Sequence, residues 1–343
     1  MNGVFAIHKP LGITSQDAVA TLKRIFINAG FSSEQKDSKR RRSRNALKVG
    51  HGGTLDPLAE GTIVIGVGTG TKELTKYLGN CEKIYTAEAF LGASTTTYDS
   101  EGEVLEYGSI DPHSIKMEDL DAVLSMFRGD ITQYPPIYSA LKVNGIPLYT
   151  YARENKPLPR DIEPRECTVK YLQRGDLDLG DYTLPSPVTS IENRKFAETV
   201  QKRKISEPPT VQPPFKGAKL KLNFEVSSGT YIRSLIKDIG DELNTKAHMS
   251  KLVRDRQGKW EIGKNVLPLS FFSKPKDYWW PVLQTIFKEG PDRVLEDEYL
   301  NDKVETSEPK DLKKDDTETP EIPSEKPSEG VQKNEAADIV EEK

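Results

Sequence analysis

Two residues far apart in this chain have the types and settings to do chemistry together. Asp56 lies in the turn GHGGTLDPLAEG (residues 50–61), beside His51. Gly50, Gly52 and Gly53 permit close backbone approach, and Pro57 fixes φ just after the acid. An apolar run over 62–67 follows at once, so the turn feeds a buried strand and aims the carboxylate. An isolated Asp-Pro turn is otherwise explained by the side chain bonding its own backbone. Arg233 stands in SSGTYIRSLIKDIGDEL (227–243), in the first turn of an expected helix, where its charge opposes the helix dipole. That placement makes sense if the guanidinium faces a carboxylate, and Asp56 is the best candidate. A lone arginine there otherwise snorkels into solvent. A facing cation favours the ionised acid, and an oriented carboxylate serves nucleophilic catalysis or abstraction beside a bond to be broken.

The elements that must position this pair are partly legible. Residues 4–8 predict a short strand ending at Lys9-Pro10, then a helix capped by Thr14 with Asp17 three residues on. Val19, Leu22, Ile25 and Phe26 form its buried stripe. Strands are expected at 62–67 and 84–91, and helices near 71–79 and around Leu120, Val123, Leu124 and Phe127. Leu220, Leu222, Phe224 and Val226 alternate with polar residues, the period of a half-buried strand. After a Ser-Ser-Gly-Thr turn, Thr230 is the expected N-cap, and Ile232, Leu235, Ile236, Ile239 and Leu243 share one helical stripe. The strand patterns within 168–227 are broken by DLDLGDY and by a Pro-, Lys- and Glu-rich insertion at 185–216. Gly66-Val-Gly68-Thr-Gly70 imitates a dinucleotide fingerprint without its spacing, and a tight glycine turn explains it more simply.

Charge separates the chain into unlike parts. The total is −4, but residues 296–343 hold 17 acids and 7 bases, a net of −10 that leaves +6 on the rest. A mildly basic body suits a surface that touches phosphate. The basic run SSEQKDSKRRRSRNALK (32–48) and Arg254 and Arg256 are the candidates for such contacts, which position a nucleic acid without specifying its sequence. The KRRR run equally fits a nuclear localisation signal or a solvated loop. Cys81 and Cys167 are too few for a disulfide framework and fit a reducing compartment. The four histidines are dispersed singly, so no metal or other cofactor is expected. No apolar stretch reaches the length of a membrane span, and the N-terminus carries no signal or evident transit pattern.

The Asp56 turn resembles the catalytic motif of the TruB family of tRNA pseudouridine synthases. Further segments resemble that family in order: GVFAIHKPLGITSQDAV (3–19), KIYTAEAFLGASTTTYDSEGEV (83–104), QYPPIYSALKVNGIPLYTYAR (133–153), SSGTYIRSLIKDIGDEL (227–243) and AHMSKLVRDRQGKW (247–260). The resemblance implies an α+β pseudouridine synthase fold: a central mixed, mostly antiparallel sheet flanked by helices and loops. It implies Asp56 as the catalytic carboxylate, Arg233 as its partner, and Tyr85 as the tyrosine that packs on the uracil and accepts a proton. Tyr231 and Leu252 match positions lining the base pocket, and His51 the residue that fills the space of the flipped nucleotide. Each has a plainer reading: a sheet tyrosine for Tyr85, a core side chain for Leu252, a backbone-bonded loop residue for His51. Lys9 and Pro10 match a motif that shapes the loop behind the site.

The implied reaction converts uridine 55 in the TΨC loop of tRNA to pseudouridine by base flipping, without a cofactor. A guide-dependent H/ACA-type synthase and a tRNA-folding chaperone are the alternatives. Expected partners are the tRNA TΨC arm and other RNAs with a T-loop-like hairpin, and the protein is expected to be an intracellular eukaryotic monomer of nucleus and mitochondrion, with cytoplasm also open. The expected organisation is a catalytic domain at 1–265 with mobile insertions at 32–45 and 185–216. A short C-terminal element at 266–295 stands where the family's PUA module is absent or reduced. An acidic, disordered tail follows at 296–343. Tyr278-Trp279-Trp280 is expected to pack a C-terminal element on the core.

Overall fold

How many faces of a strand are covered decides how its sequence reads, and the two patterns here place the strands. The computed structural model describes residues 1–31, 47–79, 81–154, 156–186 and 212–300. The near-continuous apolar run of β3 (Ala59–Val67) is buried at every position but one. By contrast β4 (Lys83–Leu91) and β11 (Gly217–Val226) alternate, one face buried and the other wetter. Together with β1 (Gly3–Lys9), β7 (Gly129–Gln133), β10 (Arg165–Tyr182), β12 (Ala247–Gln257) and β14 (Val266–Pro268) they form a sheet in the order β14-β1-β3-β12-β4-β11-β10-β7. β2 (Val49–His51) adds to β3, and β13 (Trp260–Glu261) to β12. Two further pairs stand apart, β5 (Ala93–Thr95) with β6 (Val104–Tyr107) and β8 (Lys142–Val143) with β9 (Ile146–Pro147). Among the described residues the sheet is antiparallel except at β1–β14 and β3–β12, the mixed α+β arrangement expected from the sequence.

Helices cover the sheet where their apolar stripes demand. α1 (Ser15–Phe26) starts with the expected capping box between Thr14 and Asp17 and buries Ala18, Val19, Leu22 and Phe26. α2 (Thr75–Gly79) is shorter than the expected 71–79 helix, because a 3₁₀ turn takes up residues 68–72. At Gly70 a Cβ would lie 2.1 Å from the carbonyl oxygen of Gly3, so the glycine run is a packing device. α3 (Met117–Met126) buries Leu120 and Leu124, and α4 (Leu148–Arg153) buries Leu148, Tyr151 and Ala152. α5 (Ile232–Glu242) carries the expected stripe of Ile232, Leu235, Ile236 and Ile239. Its N-cap is Tyr231, not Thr230. The Thr230 hydroxyl instead donates to the Ser227 carbonyl and closes the preceding turn.

The strand β10 also departs from expectation. It runs straight through DLDLGDY, with register shifts near Arg174–Leu177 and Asp178–Tyr182 that absorb the irregular alternation. Its polar side chains find partners on the sheet: Tyr182 donates to Asp178, and Lys219 sits over the Tyr182 ring. At the other edge, α6 (Lys276–Glu289) brings Trp279 into an aromatic cluster with Phe26 and Phe272 over β1. Leu295 is buried, and α7 (Asp297–Leu300) sets Tyr299 edge-on to Phe271. Residues 32–46, 187–211 and 301–343, which hold most of the basic run, the Pro-rich insertion and nearly all of the acidic segment, lie outside the described residues.

Candidate active site

The backbone around Asp56 is held from several directions before its side chain is considered. Ser15, at the start of α1, accepts from the Leu55 N–H at 2.8 Å and donates to the Leu55 carbonyl at 2.9 Å. Gly12 N–H bonds the Pro57 carbonyl, and Ala59 N–H that of Asp56. From β12 the fully buried Gln257 amide donates to Gly52 at 2.6 Å. Arg254 is 1% exposed and donates to the carbonyls of Gly53, Thr54 and Thr62. β12 comes this close because it pairs in parallel with β3, where Arg254 stands opposite Gly61. Gly61 has φ +112, and a Cβ there would meet the Arg254 carbonyl at 2.4 Å. Lys9, fully buried, donates to the carbonyls of Pro10 and Ile13 below this loop. Burial lowers its pKa to about 8 against the opposing pull of Asp56.

The Asp56 carboxylate, about one-third exposed, meets the Arg233 Nε at 2.8 Å. The rest of the guanidinium donates to the carbonyls of Thr97 and Tyr138, each at 2.7 Å, and lies 3.6 Å from Asp99. A first-turn arginine, unfavourable against the dipole, is thus fixed by two acids and two carbonyls. Asp99 is the deeper acid. Burial raises its pKa while Arg233 and the Thr97 hydroxyl pull it back.

A cavity of about 260 Å³ opens above the pair. Of the seven residues singled out in the sequence, it brings together Asp56, Tyr85, Tyr231, Arg233, Leu252 and Arg254; His51 is not among its lining. Tyr85 projects from β4, where its neighbours across the sheet are Phe224 and Arg254. Tyr231 is clamped by the buried Gln133, whose amide accepts from its N–H and donates to its carbonyl. Burial raises the Tyr231 phenol pKa. Leu252 reaches the cavity opposite Ala59 of β3. The His51 imidazole is held towards its neutral form by burial and by the Arg254 charge, and among the described residues its buried Nδ1 has no hydrogen-bond partner.

Two basic residues expected on a phosphate-contacting surface are occupied otherwise. Arg254 clamps the Asp56 loop, and Arg256 pairs with Glu225 at 3.0 Å. Sequence reasoning missed the roles of Ser15, Gln257 and Asp99, and it missed Lys83 and Arg165, both of which line the cavity. Lys83 precedes Tyr85 by two residues, the same-face spacing of a strand, and that period is the signal that points to it.

The chain matches the model of the TruB family pseudouridylate synthase (N terminal domain) over residues 40–185. It is 38% identical over 347 residues to "tRNA pseudouridine synthase 4" of Saccharomyces cerevisiae, covering 84% of this chain and 86% of the yeast protein. It is 37% identical to "Pseudouridylate synthase TRUB1" of Homo sapiens over 269 residues, 78% of this chain and 64% of the human one. Among solved structures, a Cbf5-Nop10-Gar1 complex matches with a TM-score of 0.47 and 22% identity over 81% of this chain and 55% of that one. With an acid, a guanidinium and a tyrosine converging on one cavity, and relatives of this identity along most of its length, the chain belongs to the TruB family of pseudouridine synthases.

Proposed function

We propose that the protein isomerises uridine to pseudouridine in tRNA, at position 55 of the TΨC arm, with Asp56 as the catalytic carboxylate. The observation that carries this reading is the Asp56–Arg233 pair at 2.8 Å, set beneath a cavity walled by Tyr85, Tyr231 and Leu252. The names of the yeast and human relatives support the substrate class. The reaction breaks the C1′–N1 bond, turns the base and joins C5 to C1′. N1 ends with a proton and C5 loses one, so no group donor and no net redox change are needed.

Each part of the cavity has a task in that sequence. The target base is stacked inside an RNA loop, so it must be turned out to reach the acid. Tyr85 and Leu252 offer a ring face and an apolar wall to the extruded pyrimidine. Arg233 fixes the carboxylate's direction, and Arg254 fixes its backbone. The carboxylate then starts the reaction by attack on the base, by attack on the sugar, or by helping a glycal form. Tyr85, which lines the cavity, takes a proton in the rearrangement. The protein acts as a monomer within eukaryotic cells, in nucleus and mitochondrion.

The test uses the full chain and a T-arm stem-loop whose target uridine carries tritium at C5. Label release without a guide RNA supports the proposal, and release only after a guide RNA is added overturns the stand-alone reading. Asp56→Asn should lower release by at least about 10⁴-fold while RNA affinity stays within a few-fold, because phosphate contacts carry most affinity. Normal release by that variant removes Asp56 from the chemistry.

A further inference from the structure

Lys83 is a buried cation that forms no ion pair among the described residues. It is 7% exposed on β4 and lines the cavity with Tyr85, two residues along the same strand face. Its Nζ donates to the Ser228 hydroxyl at 2.7 Å, and Ser228 donates onward to the Cys81 carbonyl at 2.8 Å. Among the described residues no carboxylate lies within ion-pairing distance of it. Asp56 is taken by Arg233 instead. Burial, with repulsion from Arg254 and against a smaller opposing pull from Cys81, lowers the Lys83 pKa to about 8. Arg165 and Arg254 line the same cavity, so with Lys83 three cations face it without an ion-pair partner among the described residues. Beyond Ser228 there is room: at Gly229, with φ +90, no atom of the described residues lies within 4 Å of where a Cβ would stand.

A neutral donor would tether the Ser228 turn at less cost than a buried ammonium, so the charge calls for its own explanation. An ammonium has three donors, and the Ser228 bond uses one. A carbonyl of the base would accept a hydrogen bond without offsetting the buried charge; an anion does both.

We propose that Lys83 binds a phosphodiester oxygen of the extruded nucleotide, with Arg165 beside it, while Tyr85 holds that nucleotide's base. The inference rests on the RNA reading given above. It makes Lys83 a substrate-binding residue inside the cavity. Lys83 and Tyr85 then measure one nucleotide from phosphate to ring, which favours a fully extruded uridine over one still stacked.

The experiment is a coupling cycle on the full chain. In the Asp56→Asn background, equilibrium binding of the T-arm stem-loop is measured with Lys83 and with Lys83→Met. Each protein is tested on RNA with natural linkages and on RNA with a neutral methylphosphonate 5′ or 3′ of the target uridine. Lys83→Met should weaken binding of natural RNA roughly tenfold or more, and the loss should vanish at one of the two neutral linkages. Equal losses on all three RNAs overturn the proposal. Lys83→Gln serves the same cycle if the methionine variant fails to fold. Tritium release by the wild-type chain is read in parallel: no release defeats the substrate reading itself, whereas release without coupling defeats the role of Lys83 alone.

Discussion

The two walls of the cavity are built on different principles. The Asp56 wall belongs to the main core and is pinned by buried polar side chains: Ser15, Gln257 and Arg254 between them bond the backbone of Gly52, Gly53, Thr54 and Leu55. The opposite wall, with Ser139, Ala140 and Leu141, rests on a separate small cluster of Ile137, Val143, Leu148, Tyr151, Ala152 and Ile162. Arg233 joins them, bonding Asp56 on one side and the Tyr138 carbonyl on the other. A wall with so few buried apolar residues opens at lower free energy than the main core. The difference teaches that precision is spent where the acid stands, and compliance is left where a folded RNA must enter.

Breaking the joint should have the largest effect. Arg233→Lys keeps the charge but cannot serve Asp56, Thr97 and Tyr138 at once. Turnover under saturating RNA should fall about 10²–10³-fold. A near-normal kcat would mean that charge alone suffices. Arg254→Lys loosens only the pinned wall; kcat should fall about 10²-fold with KM little changed, since misplacing the acid spares binding. A rise in KM without a fall in kcat would return Arg254 to the phosphate-contacting surface expected from sequence. Leu148→Ala loosens only the compliant wall. It should cost about 2–5 kcal/mol of local stability. Amide exchange should quicken across 137–152, β3 should stay protected, and KM should rise more than kcat falls. Exchange that quickens equally in β3 would merge the two walls into one unit.

The smallest expected effect is on stability against pH. Lys83 has a pKa of about 8 when folded against 10.5 ordinarily. Between those values the unfolded chain holds more protons, so Lys83 makes stability rise with pH. Raised thiol and phenol pKa values, as at Cys81, Cys167 and Tyr231, act in the opposite sense but are common to wild type and variant. The urea-derived unfolding free energy should therefore climb less steeply from pH 8 to 9.5 in Lys83→Met than in wild type. Equal slopes would place Lys83 in ordinary solvent.

The local parts of the site were legible because local rules govern them. The glycine turn at Asp56, the Thr14 capping box and the stripe of α5 follow from residue type and period alone. Arg233 was legible because a cation at a helix N-terminus needs a reason. The work of Arg254 was not, since it depends on β12 lying parallel to β3 across some 190 residues of chain, a pairing no local pattern announces. Lys83 was hidden for another reason: a lysine opening a strand reads as solvent-facing until the turn at Ser228 is seen to cover it. DLDLGDY misled through composition, because Asp178 accepts from the Tyr182 hydroxyl and Asp181 pairs with Lys216.

The parallel pairing at the sheet's end bears on how the chain is made. Ala6 pairs with Val266, so β1 waits for a strand synthesised about 260 residues later. At ordinary elongation rates that delay is roughly 13–50 s. Throughout it, one ladder edge of β1 and the face destined for Trp279 and Phe272 lack their cover, so the nascent segment carries an open strand edge beside an apolar face.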